Sequence, residues 1–247
     1  VKKNNFEKVL IGLSGGIDSA LTATVAVDAL GSENVIGVAM PSKYNSKESL
    51  IDAKSLAENL KIEFKTIEIE TIVENFRTTL AGIINEDLGQ TTDENIQSRV
   101  RGNILMALSN QTGAMVVSTG NKSEMAVGYS TLYGDLAGGF ALLKDLYKTE
   151  VYNLSNFRNT ISKVIPQNTI DKEPSAELRP NQFDKDSLPE YDLLDKILRL
   201  YIEEDSSSEK IISTGINENI VYDVLSKVDR NEYKRKQVAP GVKLTEK

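Results

Sequence analysis

The chain has 247 residues, 40% of them hydrophobic, and a formal charge of −7. It can therefore bury the core of one extended α/β domain, and it lacks the basic field that bulk nucleic-acid binding needs. It contains no cysteine and no histidine, which excludes disulfides, thiolate metal sites, cysteine nucleophiles and imidazole bases. Any catalysis must draw on carboxylates, lysines, hydroxyls, backbone amides or metal ions.

Apolar runs of strand length alternate with longer helical patterns. "KVLIGL" (8–13) reads as a buried strand, and 17–30, apolar nearly all round, as a helix packed on a sheet, with Gly31 as its C-terminal cap. "NVIGVAMP" (34–41) is a second strand; 46–60 is a helix capped by Ser46; "KIEFKTIEI" (61–69) alternates like a strand. A long helix is expected over 91–113 and a strand over 114–120, and Lys148 opens an amphipathic helix. The last third is irregular: a proline-rich loop over 172–188, a solvated loop at "EEDSSSEK" (203–210) and one helix near 217–229. This order predicts a doubly wound parallel sheet with helices on both faces and ligands at the carboxyl ends of its strands. Ser14, Asp18 and Asp28 interrupt the first apolar segment, so no signal peptide or membrane span is read and a cytoplasmic location is expected.

The string "GLSGGIDS" (12–19) joins the first strand to the first helix. Gly15 and Gly16 let backbone amides approach an anion at a helix N-terminus, and Ser14 and Ser19 add hydroxyls. A Walker-type loop would carry a lysine here; this one carries Asp18. A carboxylate beside phosphates makes sense with Mg²⁺ between them, which fits an enzyme that cleaves ATP between its α and β phosphates. Glu124, in "STGNKSEMAVGYSTLYGD" (118–135), is the natural second carboxylate.

"SGGIDS" resembles the loop of the N-type ATP pyrophosphatases, an adenine nucleotide alpha hydrolase-like fold. The later strings narrow the resemblance to the NAD synthetase family over essentially the whole chain. They are Arg99 with Arg101, Thr119–Asp135, Leu146–Val151, Lys172–Leu178 and Gln182–Asp184, in that order. Two strings depart from the family: "EYKRKQ" has Tyr233 in the histidine place with Lys234 retained, and "LAGGFALLKD" (136–145) offers glycines.

The resemblance implies that Gly12, Leu13, Ser14, Gly15, Gly16, Ile17, Asp18 and Ser19 bind ATP together with Thr119, Lys148 and Ser175. It implies that Asp18 and Glu124 bind Mg²⁺, that Arg99, Tyr233 and Lys234 contact deamido-NAD, and that the chain forms a homodimer with no nucleic-acid or membrane partner. The implied reaction adenylates the nicotinate carboxylate and then lets ammonia displace AMP. Asp18 and Lys148 would serve the first step, and Asp135 is the candidate proton acceptor in the second. With no cysteine and a first strand inside the first ten residues, a single domain without an N-terminal amidase is expected, and with it free ammonia as donor. The rival readings are another ATP pyrophosphatase, a nucleotide-sensing module without turnover, and a partner-binding patch at "KRK" (234–236).

Overall fold

The structure is a computed structural model and describes residues 1–84 and 88–246. In chain order it runs β1 (Val9–Gly12), α1 (Ile17–Leu30), β2 (Val35–Ala39), α2 (Lys47–Leu60), β3 (Glu63–Thr66), α3 (Glu70–Ala81), α4 (Gln90–Thr112) and β4 (Met115–Ser118). There follow α5 (Lys122–Val127), β5 (Phe140–Ala141), α6 (Lys148–Ile161), α7 (Gln167–Asp171), α8 (Tyr191–Leu198), α9 (Ser208–Ser213), α10 (Glu218–Arg230) and α11 (Glu232–Arg235).

The strands form one parallel sheet in the order β3-β2-β1-β4-β5. β1 is central, pairing Leu10 with Ile36 of β2 on one side and with Val116 of β4 on the other. Both faces are covered, so β1 and β2 are apolar throughout rather than alternating. Val9 and Ile11 point into a core closed by α1, α2, α6 and α7, while Leu10, Ile36 and Val38 point into one closed by α3 and α4. A third cluster joins α5, α8, α9 and α10 at the end of the molecule reached last in sequence.

The doubly wound parallel sheet expected from the sequence is the observed fold. Gly31 caps α1 with φ +88°, its amide reaching the Val27 carbonyl, and Ser46 caps α2 by accepting from the Ser49 amide at 3.1 Å. The strand expected over 61–69 is shorter, because the chain turns into α3 at the fully buried Ile69. The segment 203–210 is not simply a solvated loop: Ser206 is buried and Ser207 caps α9. The glycine string 136–140 serves the sheet. The Gly139 amide donates to the Val116 carbonyl at 2.8 Å, and a Cβ on Gly138 would lie 3.1 Å from that same oxygen, so the backbone sits tight against β4 as β5 begins.

The chain builds outward from β1 to β2 and β3, then returns to place β4 on the other side of β1. The carboxyl ends of β1 and β4 therefore flank a topological switch point, where a crevice opens in folds of this kind.

Candidate active site

The loop after β1 is shaped by its own side chains. Ser19 Oγ donates to the Gly16 carbonyl at 2.9 Å, and the Gly16 amide donates to Ser14 Oγ at 3.1 Å. Gly15 takes φ +80°, and a Cβ there would lie 2.2 Å from the Ser49 carbonyl oxygen, so only glycine fits between this loop and α2. α1 begins at Ile17, which points its first amides at the mouth of the loop.

Asp18, in the first turn of α1, reaches across the switch point. Its Oδ1 accepts from Asn121 Nδ2 at 2.8 Å, in the loop after β4, and its Oδ2 meets Lys148 Nζ at 2.6 Å. The same ammonium meets Glu124 Oε1 at 2.9 Å. Asn121 caps α5, accepting from the Glu124 amide at 3.0 Å, so one asparagine orients both acids. Tyr191 closes the far side: its hydroxyl lies 3.2 Å from Glu124 Oε1 and 2.7 Å from Asp184 Oδ2, and its ring centroid is 5.1 Å from Lys148 Nζ.

The electrostatics follow from this packing. Burial pulls the Lys148 ammonium toward neutrality, but Asp18 and Glu124 more than reverse that and hold it well above the ordinary lysine value. Burial pushes the Glu124 carboxyl up to about 7 against the attraction of Lys148. Burial also raises Asp135, although it accepts from the Thr131 amide at 2.7 Å and from Ser98 Oγ at 3.0 Å. Lys234 is lowered by burial; its Nζ is held by the carbonyls of Gly128 and Ser130, both at 2.8 Å.

These groups line one cavity of about 520 Å³. Of the residues singled out from sequence, Gly12, Leu13, Ser14, Gly16, Ile17, Asp18, Ser19, Thr119, Glu124, Asp135, Lys148, Ser175 and Lys234 all face it. Gly15 shapes the loop from behind. Arg99 and Tyr233 lie outside: Arg99 is exposed on α4 with Nε on the Leu132 carbonyl at 3.3 Å, and Tyr233 is exposed on α11. The cavity's arginine is Arg101, which donates to the Met40 carbonyl and to Asn45 Oδ1, each at 3.0 Å. A helical wheel separates the two arginines, because Ser98, Arg101, Gly102 and Leu105 share one face of α4 and Arg99 does not. Asn121, Asp184 and Tyr191 were not assigned roles from sequence, and no local spacing connects them to Asp18 or Lys148.

The donor set fits Mg²⁺. Asp18 and Glu124 already converge on one cation, the Lys148 ammonium, and Mg²⁺ needs only one or two carboxylates when phosphate oxygens and waters complete the shell. Among the described residues no group of three or more acidic side chains forms a metal cage, so a metal here would depend on the nucleotide it accompanies.

Comparison with known proteins agrees with this architecture. The model of the NAD synthase family matches residues 1–238. The chain belongs to the NAD synthase family. It is 54% identical over 247 residues to the glutamine-dependent NAD(+) synthetase of Thermotoga maritima, covering 99% of this chain and 43% of that protein. It spans less than half the length of this relative and of the glutamine-dependent NAD(+) synthetases of Aquifex aeolicus and Acinetobacter baylyi. Among solved structures, NH3-dependent NAD synthetase from Campylobacter jejuni is 32% identical with a TM-score of 0.76, covering 95% of this chain and 89% of that one. NMN synthetase from Francisella tularensis is 28% identical with a TM-score of 0.80 over the same shares. Among the described residues no helix is long and apolar enough to cross a membrane.

Proposed function

We propose that this chain catalyses the ATP-dependent amidation of deamido-NAD to NAD, with ammonia as the nitrogen nucleophile and AMP and pyrophosphate as the other products. The observation that carries the reading is the meeting of Asp18, Glu124 and Lys148 beside the Gly12–Ser19 loop in one cavity. It combines a pyrophosphate cradle, a carboxylate pair suited to a phosphate-bound divalent ion and a buried cation, with no histidine or cysteine required.

In the first step a nicotinate carboxylate oxygen attacks the α-phosphorus, and the bond to the β-phosphate oxygen breaks. The loop amides and the hydroxyls of Ser14 and Ser19 hold the departing pyrophosphate, and Lys148 donates to the phosphate oxygens as charge separates. When bound by Asp18 and Glu124, Mg²⁺ supplies further neutralisation of the polyphosphate. Thr119, Arg101 and Ser175 position the nucleotide from the cavity walls. In the second step ammonia attacks the acyl carbon and AMP leaves. Asp135, whose carboxyl burial holds above the usual range, takes the proton that the incoming nitrogen loses.

The 247 residues contain no cysteine, so the nitrogen they use is ammonia; where glutamine is the source, the cysteine that hydrolyses it lies outside them. Arg99 and Tyr233 are exposed outside the cavity, and we propose that a homodimer completes the dinucleotide site through them. Light scattering at micromolar concentration checks this: a dimer mass supports it and a monomer mass removes it.

The test of function is an endpoint assay with ATP, Mg²⁺, ammonium and deamido-NAD, read as NAD through a coupled dehydrogenase. NAD formation that disappears without ATP or Mg²⁺ is the expected result. Pyrophosphate release with nicotinate mononucleotide in place of deamido-NAD, and none with deamido-NAD, would move the reading to mononucleotide amidation. ATP binding with no release under any condition would make the chain a nucleotide sensor.

A further inference from the structure

Lys148 is the first residue of α6, and Glu124 sits in the first turn of α5. The starts of the two helices are tied by the Lys122 amide, which donates to the Leu146 carbonyl at 2.7 Å. A second tie comes from a carboxylate outside the cavity. Asp195, in α8 and 2% exposed, accepts from the hydroxyl of Ser123 on one oxygen and from the Thr149 amide at 2.9 Å on the other. Ser123 Oγ in turn accepts from the Lys148 amide at 2.8 Å. Three hydrogen bonds and the Lys148–Thr149 peptide link close a ring that joins α5, α6 and α8 next to the Lys148–Glu124 pair.

The ring explains two motif residues that no chemical role has absorbed. Ser123 precedes Glu124 in the "TGNKSE" string, and Thr149 follows Lys148 in "LYKTEV". Each lies next to a residue of the active site, and each is bound to Asp195. A helix leaves its first backbone amides without intrahelical partners, and here those of Lys148 and Thr149 are satisfied from neighbouring helices. Just after α8, Arg199 meets Glu150 Oε1 at 2.7 Å, while Glu150 Oε2 accepts from the Tyr147 amide at 2.8 Å. The start of α6 is thus held from the α8 side at two points. Asp195 is placed to decide where the Lys148 ammonium stands relative to Asp18 and Glu124.

We propose that Asp195 is a positioning residue for the adenylation step, acting through Ser123 and Thr149 to set the Lys148–Glu124 geometry. This rests on the reading of function given above. A displacement of about 1 Å in such a geometry costs about a hundredfold in rate while leaving ground-state binding largely intact. Removing the ring should therefore lower kcat and spare nucleotide affinity.

The experiment compares Asp195→Asn, Ser123→Ala and the double variant with the parent chain, each checked for folding by thermal melting. Pyrophosphate release gives kcat, and calorimetric titration gives the ATP affinity. The expected result is a tenfold to hundredfold fall in kcat, an ATP Kd within about threefold of the parent, and a double variant no slower than the slower single. That last result is expected because both substitutions open the same ring. If Asp195→Asn does not fold, Ser123→Ala carries the test, since it removes one hydroxyl and leaves Asp195 on the Thr149 amide. A folded variant with kcat within twofold of the parent overturns the proposal. So does a parallel loss of affinity and kcat, or rate losses that multiply in the double variant. Hydrogen exchange in the ligand-free protein gives a readout that needs no activity: Ser123→Ala should speed exchange of the Lys148 amide, which loses its acceptor, at least about tenfold. Unchanged exchange overturns the ring itself. An inactive parent chain with accelerated exchange in the variant would defeat the functional reading and leave the ring standing.

Discussion

Two lysines in this chain are each pinned between two carboxylates, and they do different work. Lys122 meets Asp145 at 2.9 Å and Glu203 at 3.0 Å; Lys148 meets Asp18 at 2.6 Å and Glu124 at 2.9 Å. Burial does not separate them, since their side chains are 9% and 4% exposed. What differs is what lies beyond the ion pair. Lys122 also bonds the Thr245 hydroxyl at 2.9 Å and rests 5.0 Å from the Tyr147 ring centroid, while Asp145 accepts from the amides of Leu244 and Thr245. That cluster ties the last described residues to α5 and lies outside the lining of the active-site cavity. Lys148 and both its partners line the cavity, so a metal ion and phosphate oxygens can replace the contacts that now satisfy them. The comparison teaches that a buried, doubly paired lysine marks chemistry only where its partners can be exchanged.

Substitutions at the two lysines should break in opposite ways. Lys148→Met is expected to lower kcat by about 10³-fold, since it removes a donor from a charge-separating step, with the fold retained by circular dichroism. Asp135→Asn should slow amidation by about 10²-fold and leave adenylation running; rapid-quench analysis would then show the acyl-adenylate accumulating. Gly15→Ala sharpens the comparison from the loop side. Its positive φ and the clash with Ser49 cost about 1–3 kcal/mol and should raise the KM for ATP.

Lys122→Met should do the reverse of Lys148→Met. It takes the cation away from the buried Asp145 and the half-buried Glu203 and costs about 3 kcal/mol in urea unfolding, with kcat within about threefold at temperatures where the protein is folded. Asp145→Asn is the smallest expected effect, about 2 kcal/mol, and it depends on pH. Burial pushes the Asp145 carboxyl up, but Lys122 and the tail amides outweigh that and hold it well below the ordinary aspartate range. A depressed carboxylate stabilises the fold above its unfolded pKa, and that stabilisation is lost as pH falls through the folded value. The gap between parent and variant should therefore be full at pH 7 and narrow below about pH 4.

Much of the fold was legible because β1, α1 and β2 are apolar runs of strand or helix length and α2 carries helical spacing behind its Ser46 cap. α3 carries Ile72, Val73, Phe76 and Leu80 at helical spacing, but only Val73 is fully buried, while Ile72 and Phe76 are exposed. The third core was hidden because α8 and α9 are 8 and 6 residues long, and their apolar faces meet only after the chain has folded. In the site, the strings around Asp18, Glu124 and Lys148 were readable locally. Asn121 lies three residues before Glu124 and could be read as its cap, but it reaches Asp18 across 103 residues, and Tyr191 reaches Glu124 across 67. Arg101 could have been preferred over Arg99 by asking which arginine shares a helix face with Ser98 and Leu105.

The most direct test of the central claim follows one oxygen atom. Deamido-NAD labelled with ¹⁸O in its nicotinate carboxylate is turned over with ATP, Mg²⁺ and ammonium, and the products are analysed by mass spectrometry. Cleavage at the α-phosphorus beside the Gly12–Ser19 loop predicts one ¹⁸O in AMP and none in pyrophosphate. Label in inorganic phosphate with ADP as the nucleotide product, or unlabelled AMP formed alongside NAD, would contradict it.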